Sequence, residues 1–200
     1  MLEGARRLRR DARFLAQLRA LPLSVALFQW RAWRLARRLK DEFAQVSGTR
    51  PDNLAVLLHV ARGGRRVVEL GTGSAWTAIS LVLADADRLV ETYDPIARPE
   101  RERYLGLVPG QTRQRLTFVT AAGEEGPRDG APVDLLYIDS SHDAEGTILE
   151  VEAWRPALGA GSLVVFDDFA HPGYPGVEQA VRRLGLPGER RGGLFVHRVG

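Results

Sequence analysis

Apolar residues follow two different patterns along the chain, and the change falls near residue 50. Before it, apolar side chains recur every three or four residues, which predicts amphipathic helices over residues 5–20 and from Ser24 to Val46. A proline at position 22 separates the two helices. The pattern therefore divides the chain into a helical extension, residues 1–46, and one larger domain, residues 47–200.

From residue 50 onward, short apolar strands alternate with helical segments. Asp52 is the predicted N-cap of the first helix, and further helices are expected at 75–85, 98–107, 144–158 and 176–184. Strands are predicted at 66–70, 88–93, 116–119, 133–138 and 162–166, with a closing pair within 188–199. Because parallel strands need crossover connections, this alternation predicts an α/β fold with helices on both faces of a mostly parallel sheet. Ligands bind such sheets at the carboxyl ends of the strands.

The composition narrows the possible chemistry. The chain has 200 residues and no cysteine, which excludes disulfides, thiolate metal sites and cysteine nucleophiles. No apolar run approaches the roughly 20 residues that span a bilayer, and the basic start does not lead into a signal-peptide core. We therefore expect no transmembrane segment and a cytoplasmic location.

The net charge of +3 is unevenly distributed. Residues 1–40 hold eleven Arg or Lys against Glu3 and Asp11, a net of +9, so the other 160 residues carry −6. Two apolar stripes of this length exceed what a monomer normally exposes. We expect the helices to pack on the body of the protein as a lid, to build a homo-oligomer, or both; binding of a membrane surface or of RNA through the arginines is the alternative.

A glycine-containing turn follows the first predicted strand. Gly71 and Gly73, flanked by Glu69 and Ser74, would let a ligand approach the backbone closely. A dinucleotide-binding turn would place a third glycine where this chain has Trp76, so a pyrophosphate site is not expected. Asp94 ends the second strand, where a carboxylate can accept both hydroxyls of a ribose; the alternative is a capping Asp before a proline.

This combination resembles the S-adenosylmethionine site of class I methyltransferases. The sequence Glu-Leu-Gly-Thr-Gly-Ser over 69–74, followed by Asp94, carries the resemblance. It implies a Rossmann-like sheet of seven strands, mostly parallel with an antiparallel last strand. It also implies the following cofactor-binding residues: Glu69, Gly71, Gly73, Ser74, Asp94, Ala122 and Asp139.

The downstream half is similar to the metal-dependent O-methyltransferases. Residues 134–142, 158–168 and an intervening helix that contains Trp154 carry this resemblance, which covers roughly residues 50–185. It implies that Asp139, Asp167 and Asp168 hold a divalent cation, with Mg²⁺ the expected ion. Three converging carboxylates would repel each other without a cation, and Mg²⁺ accepts oxygen ligands. The alternative is that one or two of these aspartates only cap helices.

A histidine stands three residues after the first of these aspartates. Relatives of the catechol type carry a lysine base at the position of His142, and some relatives that act on sugar or macrolide hydroxyls carry histidine. An imidazole can take a proton at neutral pH, so His142 is the expected base beside Asp139, with His171 as its rival and a structural histidine as the alternative.

The function that the resemblance implies is transfer of a methyl group from S-adenosylmethionine to a hydroxyl of a small molecule. Two alternatives remain open: an RNA methyltransferase that uses the basic extension, and a non-catalytic scaffold that binds the cofactor. An RNA acceptor has less support, since the sequence shows no aromatic-rich stacking surface.

Overall fold

The computed structural model describes residues 11–200, which form a seven-stranded sheet with helices on both faces. The strands are β1 (Arg66–Leu70), β2 (Leu89–Tyr93), β3 (Leu116–Val119), β4 (Val133–Ile138), β5 (Leu158–Phe166), β6 (Gly188–Arg191) and β7 (Leu194–Arg198). The helices are α1 (Leu23–Leu39), α2 (Glu42–Ser47), α3 (Pro51–Val60), α4 (Trp76–Leu83), α5 (Arg101–Leu105), α6 (Gly110–Arg113), α7 (Ala144–Trp154) and α8 (Pro175–Arg183). Residues 11–17 are also helical.

The strand order is β3-β2-β1-β4-β5-β7-β6. The first five strands in the chain pair in parallel, and β7 runs antiparallel to both of its neighbours. The hairpin between β6 and β7 turns at Gly192, whose φ of +66° suits glycine. The predicted Rossmann-like methyltransferase sheet, with an antiparallel last strand, is confirmed.

Apolar side chains fill the space on each face of the sheet. One core lies between the sheet and helices α1, α3 and α4, and includes Leu54, Ile79 and Tyr137. The other lies beneath α7 and α8, and includes Trp154 and Phe166. These two layers hold the strands in register, so the loops at the carboxyl ends of the strands stand on a rigid base.

The described part of the extension, residues 11–46, packs on the body of the same chain. Val25, Phe28 and Ala32 of α1 are buried in the core that also contains α3 and α4. Residues 1–10 lie outside the described residues, and with them the first part, residues 5–10, of the helix predicted over residues 5–20. Within residues 11–200, every helix is too short or too polar to cross a membrane.

Several predicted helix or strand ends differ from the observed ones. The second predicted helix is interrupted at Lys40, which adopts a left-handed backbone with φ 56°, and α2 starts anew after Asp41. Asp52 is not an N-cap: Arg50 occupies that position, and Asp52 lies in the first turn of α3. A 3₁₀ turn follows Trp154 because Pro156 cannot continue the helical hydrogen bonding, and β5 starts at Leu158, four residues earlier than predicted.

Asp41 joins the restart of the helix to the body. Its carboxylate accepts hydrogen bonds from the Ala44 backbone N–H (2.9 Å) and from the Tyr104 hydroxyl (2.6 Å). We expect Asp41→Ala to lower the free energy of unfolding by about 1–2 kcal/mol, since it removes both a helix cap and a hydrogen bond to a buried tyrosine. Tyr104→Phe removes only the second contact and should cost less. Equal losses in urea unfolding of the two variants would show that the cap contributes nothing.

Candidate active site

A cavity of about 750 Å³ opens at the carboxyl ends of β1, β2, β4 and β5. The loop after each of these strands contributes to its wall, and α2 with the loop that follows it forms a further side. Phe43 and Val46 of α2 line this side and are partly exposed. The extension thus contributes to the cavity through its last helix.

The glycine turn after β1 lies against the loop after β4. Gly71 has φ +98°, and a Cβ atom there would lie 1.9 Å from the carbonyl oxygen of Asp139. Gly73 has φ +48° and faces Ser47 at the end of α2. Glycine at position 71 is therefore required by backbone contact with the strand that carries Asp139, and both glycines line the cavity.

Asp94 lies at the end of β2, on the same side of the cavity. Its Oδ2 accepts hydrogen bonds from the Gly73 backbone N–H (3.1 Å) and from Arg101 (2.5 Å), and its Oδ1 accepts one from the Ile96 N–H (2.8 Å). Arg101 also donates to the Gly73 carbonyl at 2.9 Å. Arg101 therefore fixes the acid and the glycine turn relative to each other, although no sequence motif pointed to it.

The other predicted cofactor residues differ in whether they line the cavity or are buried behind it. Ala122 lines the cavity. Glu69 is fully buried and outside the lining, where its carboxylate accepts a 2.5 Å hydrogen bond from Thr92. Burial, reinforced by the charges of Asp139 and Asp94, raises the pKa of Glu69 to about 8. Ser74 is also buried outside the lining.

Three side chains on the β4 and β5 side converge on one point. A ligand atom from each of Asp139, His142 and Asp168 lies within 4.8 Å of the others. The His142 Nε2 stands 3.3 Å from a carboxylate oxygen of each aspartate, is shielded from solvent and makes no hydrogen bond of good geometry. The arrangement gathers two carboxylates and an imidazole nitrogen at one point, which suits a cation.

The charges of this cluster shift two pKa values. Burial raises the pKa of Asp139, with a further contribution from the charge of Asp168. Burial alone would lower the pKa of His142, but the two carboxylates outweigh it and raise that pKa to about 10. In the absence of a cation, His142 is therefore an imidazolium at neutral pH.

Asp167 lies beside the cluster and is held by donors from the body of the protein. Its Oδ2 accepts a hydrogen bond from the Tyr137 hydroxyl (2.6 Å), and its Oδ1 accepts from the Asn53 amide (3.1 Å) and the Asp168 N–H (2.8 Å). Asn53 in turn accepts a hydrogen bond from the Gly193 N–H in the last hairpin. Burial and the charge of Asp139 raise the pKa of Asp167 to about 7. Asn53 and Tyr137 come from distant parts of the sequence, which is why no local pattern identified them.

Aromatic rings stack at the edge of the cavity. Tyr174 lies between His142 and His171, with ring centroids 4.3 and 4.9 Å away. His142 and Asp168 both adopt left-handed backbones, with φ of 60° and 51°. Non-glycine residues in this region carry strain of about 1–3 kcal/mol each, and such strain concentrates at functional sites. The structure thus places His142 in the acidic cluster, whereas the Tyr174 ring separates His171 from it.

Glu150 is a buried acid that the sequence analysis did not select. It comes from α7, lines the cavity and accepts a 2.6 Å hydrogen bond from the Ser140 hydroxyl. Burial raises its pKa to about 7. It is one of three glutamates in α7, and the other two, Glu145 and Glu152, are exposed, so the sequence did not distinguish it from a surface acid.

A sequence model of the methyltransferase domain family matches residues 68–169. This segment is half of the chain, and it contains the glycine turn, Asp94 and the acidic cluster. The chain belongs to the methyltransferase domain family.

Solved structures share the fold at low identity. CalS11, a TDP-rhamnose 3'-O-methyltransferase of calicheamicin biosynthesis, is 21% identical with a TM-score of 0.59, covering 74% of this chain and 79% of that chain. A candidate caffeoyl-CoA O-methyltransferase from Staphylococcus aureus is 15% identical with a TM-score of 0.61, covering 82% and 91%. A candidate rRNA methylase from Clostridium thermocellum is 12% identical with a TM-score of 0.58, covering 74% and 98%. No curated protein matches the sequence closely enough to count as a relative.

Proposed function

We propose that this protein is an S-adenosylmethionine-dependent O-methyltransferase that acts on a hydroxyl of a small molecule with the help of a divalent cation. One observation carries the proposal: a set of residues suited to bind the cofactor and a set suited to bind a cation line the same cavity. Gly71, Gly73 and Asp94 form the first, and Asp139, His142 and Asp168 form the second. Solved O-methyltransferases with the same fold support it.

The residues at the glycine turn are suited to hold the cofactor, which supplies a methyl group on a sulfonium. Arg101 keeps the Asp94 carboxylate against Gly73, so that the acid is oriented before any ribose hydroxyl reaches it. Gly71 and Gly73 both line the cavity, and the Asp139 backbone packs against Gly71 and holds the turn in place. Preorganisation of this kind lowers the cost of binding.

The acidic cluster is suited to a hard cation. Asp139 and Asp168 would hold the ion, with Asp167 beside them as the third carboxylate that Tyr137 and Asn53 keep in place. Mg²⁺ prefers such oxygen ligands, and when bound it lowers the pKa of a coordinated hydroxyl. With a cation on Asp139 and Asp168, these carboxylates would hold the proton on His142 less strongly, and the imidazole would be able to accept a proton from the acceptor.

The experiment that tests the cofactor assignment is a calorimetric titration with S-adenosylhomocysteine, with NAD⁺ as the competing ligand. We expect the former to bind and the latter not to bind. Asp94→Ala should weaken binding by about 1.5–3 kcal/mol, the range for charge-assisted hydrogen bonds. Asp87→Ala, which removes an exposed acid outside the cavity, is the control and should leave the affinity unchanged. Binding of NAD⁺ in place of S-adenosylhomocysteine would refute the proposal.

A further inference from the structure

One face of α1 is exposed and combines apolar and basic residues. At 100° per residue, its members fall on one stripe about 100° wide. We call it the α1 outer face; it consists of Leu23, Leu27, Trp30, Arg31, Arg34 and Arg38. The apolar residues occupy its first half, with Leu23 85%, Leu27 41% and Trp30 37% exposed. The arginines occupy the second half.

Contacts on the opposite side of α1 keep the α1 outer face turned towards solvent. Val25, Phe28 and Ala32 are buried in the core. Gln29 donates a 2.9 Å hydrogen bond to the Ser80 hydroxyl of α4, so a buried polar contact also sets the rotation of the helix. Turning α1 to bury its outer leucines would break that contact and expose the core side. The apolar half therefore stays available to a partner.

The basic half has no acidic counterpart in the described part of the chain. The sequence of α1 contains no Asp or Glu, and no carboxylate of residues 11–200 lies within 4.0 Å of Arg31, Arg34 or Arg38. Arg37, at the edge of this face, does pair with Asp11 at 2.5 Å. The Arg34 guanidinium instead lies over the Trp30 ring, 4.6 Å from its centroid. Among residues 11–200, the exposed arginines thus have no acid paired with their positive charge.

We propose that the α1 outer face binds an anionic phospholipid surface. Leucine and tryptophan side chains enter the boundary between headgroups and acyl chains, while arginines next to them attract lipid phosphates. Arginine can also keep its aliphatic stem in the apolar layer and its charge in the headgroup region. The α1 outer face has leucines, a tryptophan and arginines along one side of the helix. The proposal does not depend on the methyltransferase assignment.

The charge pattern fits other partners less well. In an antiparallel pair of two α1 helices, the leucines of one copy would meet the arginines of the other, and neither helix brings an acid. RNA would use the arginines but leave the exposed leucines without a role, and the Trp30 ring face that could stack on a base is covered by Arg34. Of these three partners, only an anionic lipid surface uses both halves.

The test is flotation of the full chain with vesicles of pure phosphatidylcholine or with added phosphatidylglycerol. We expect binding to the anionic vesicles only, and weaker binding as salt rises. The triple variant Arg31→Gln/Arg34→Gln/Arg38→Gln should lower the bound fraction about tenfold or more. The double variant Leu23→Gln/Leu27→Gln should also release the protein, because the apolar half is needed.

Matched controls separate the face from general charge and hydrophobicity. Arg62→Gln/Arg65→Gln/Arg190→Gln removes the same charge from exposed positions elsewhere, and Leu89→Gln/Leu149→Gln removes two leucines that are 55% and 57% exposed. Both should bind vesicles like the unmodified chain. If the triple arginine variant unfolds at a lower temperature than the unmodified chain, the single variant Arg34→Glu takes its place. The proposal is overturned if anionic vesicles are not bound, if the controls lose binding equally, or if these residues instead serve RNA binding or a dimer interface in ultracentrifugation.

Discussion

Replacing Asp168 by Asn is expected to weaken divalent-cation binding on the order of 100-fold while S-adenosylhomocysteine affinity stays unchanged. The substitution keeps the shape of the side chain and removes one negative charge from the point where Asp139, His142 and Asp168 meet. The Asp94 carboxylate lies on another wall of the cavity, and its hydrogen bonds with Gly73, Ile96 and Arg101 do not involve Asp168. Titration with Mn²⁺, followed by electron paramagnetic resonance, measures the first quantity, and calorimetry measures the second.

The chain offers a close control for this experiment. Asp143 is outside the cavity lining and caps α7 through a 2.8 Å hydrogen bond from the Gly146 N–H. Asn is also a good cap, so Asp143→Asn makes the same chemical change without loss of stability. It should leave Mn²⁺ affinity unaltered. A Mn²⁺ affinity that is the same in Asp168→Asn and in the unmodified protein would remove the cation from the proposed function.

The residues that the sequence identified are those whose role follows from position along a strand. Asp94, Asp139 and Asp168 each follow a predicted strand, and the carboxyl ends of parallel strands lie at one edge of a sheet. The structure does place them around a common cavity. The boundaries of β1, β3 and β4 also agree with the prediction, because each of these strands is a short apolar run with clear ends.

The residues that the sequence missed depend on contacts between distant segments. Asn53 and Tyr137 meet Asp167 only because α3, β4 and the last hairpin pack together. Trp76 was recognised only as the residue that excludes a pyrophosphate, whereas its ring lies 3.5 Å from the Cβ position of Gly48 and packs edge-on against Tyr104. The break at Lys40 was also missed, because the apolar period continues across it and the left-handed turn has no glycine to mark it.

His142→Gln is expected to lower the rate of methyl transfer by roughly 10²–10⁴-fold, the range for loss of a general base. The measurement is single-turnover transfer of a labelled methyl group from S-adenosylmethionine to a panel of vicinal diols and catechols. His171→Gln should have a much smaller effect, because its ring is separated from the acidic cluster by Tyr174. If Mn²⁺ affinity falls together with the rate in His142→Gln, His142 is a cation ligand and not the base.

The pH dependence provides an independent check of the same role. A base must be neutral, and a pKa of about 10 leaves roughly one His142 in a thousand neutral at pH 7. Activity without a cation should therefore be low at pH 7 and rise with pH towards 10. Mg²⁺ cancels the attraction of Asp139 and Asp168 for the imidazolium, so it should move the rising limb of the pH–rate profile to lower pH. A limb at the same pH with and without Mg²⁺, or one that persists in His142→Gln, would assign the proton transfer to another group.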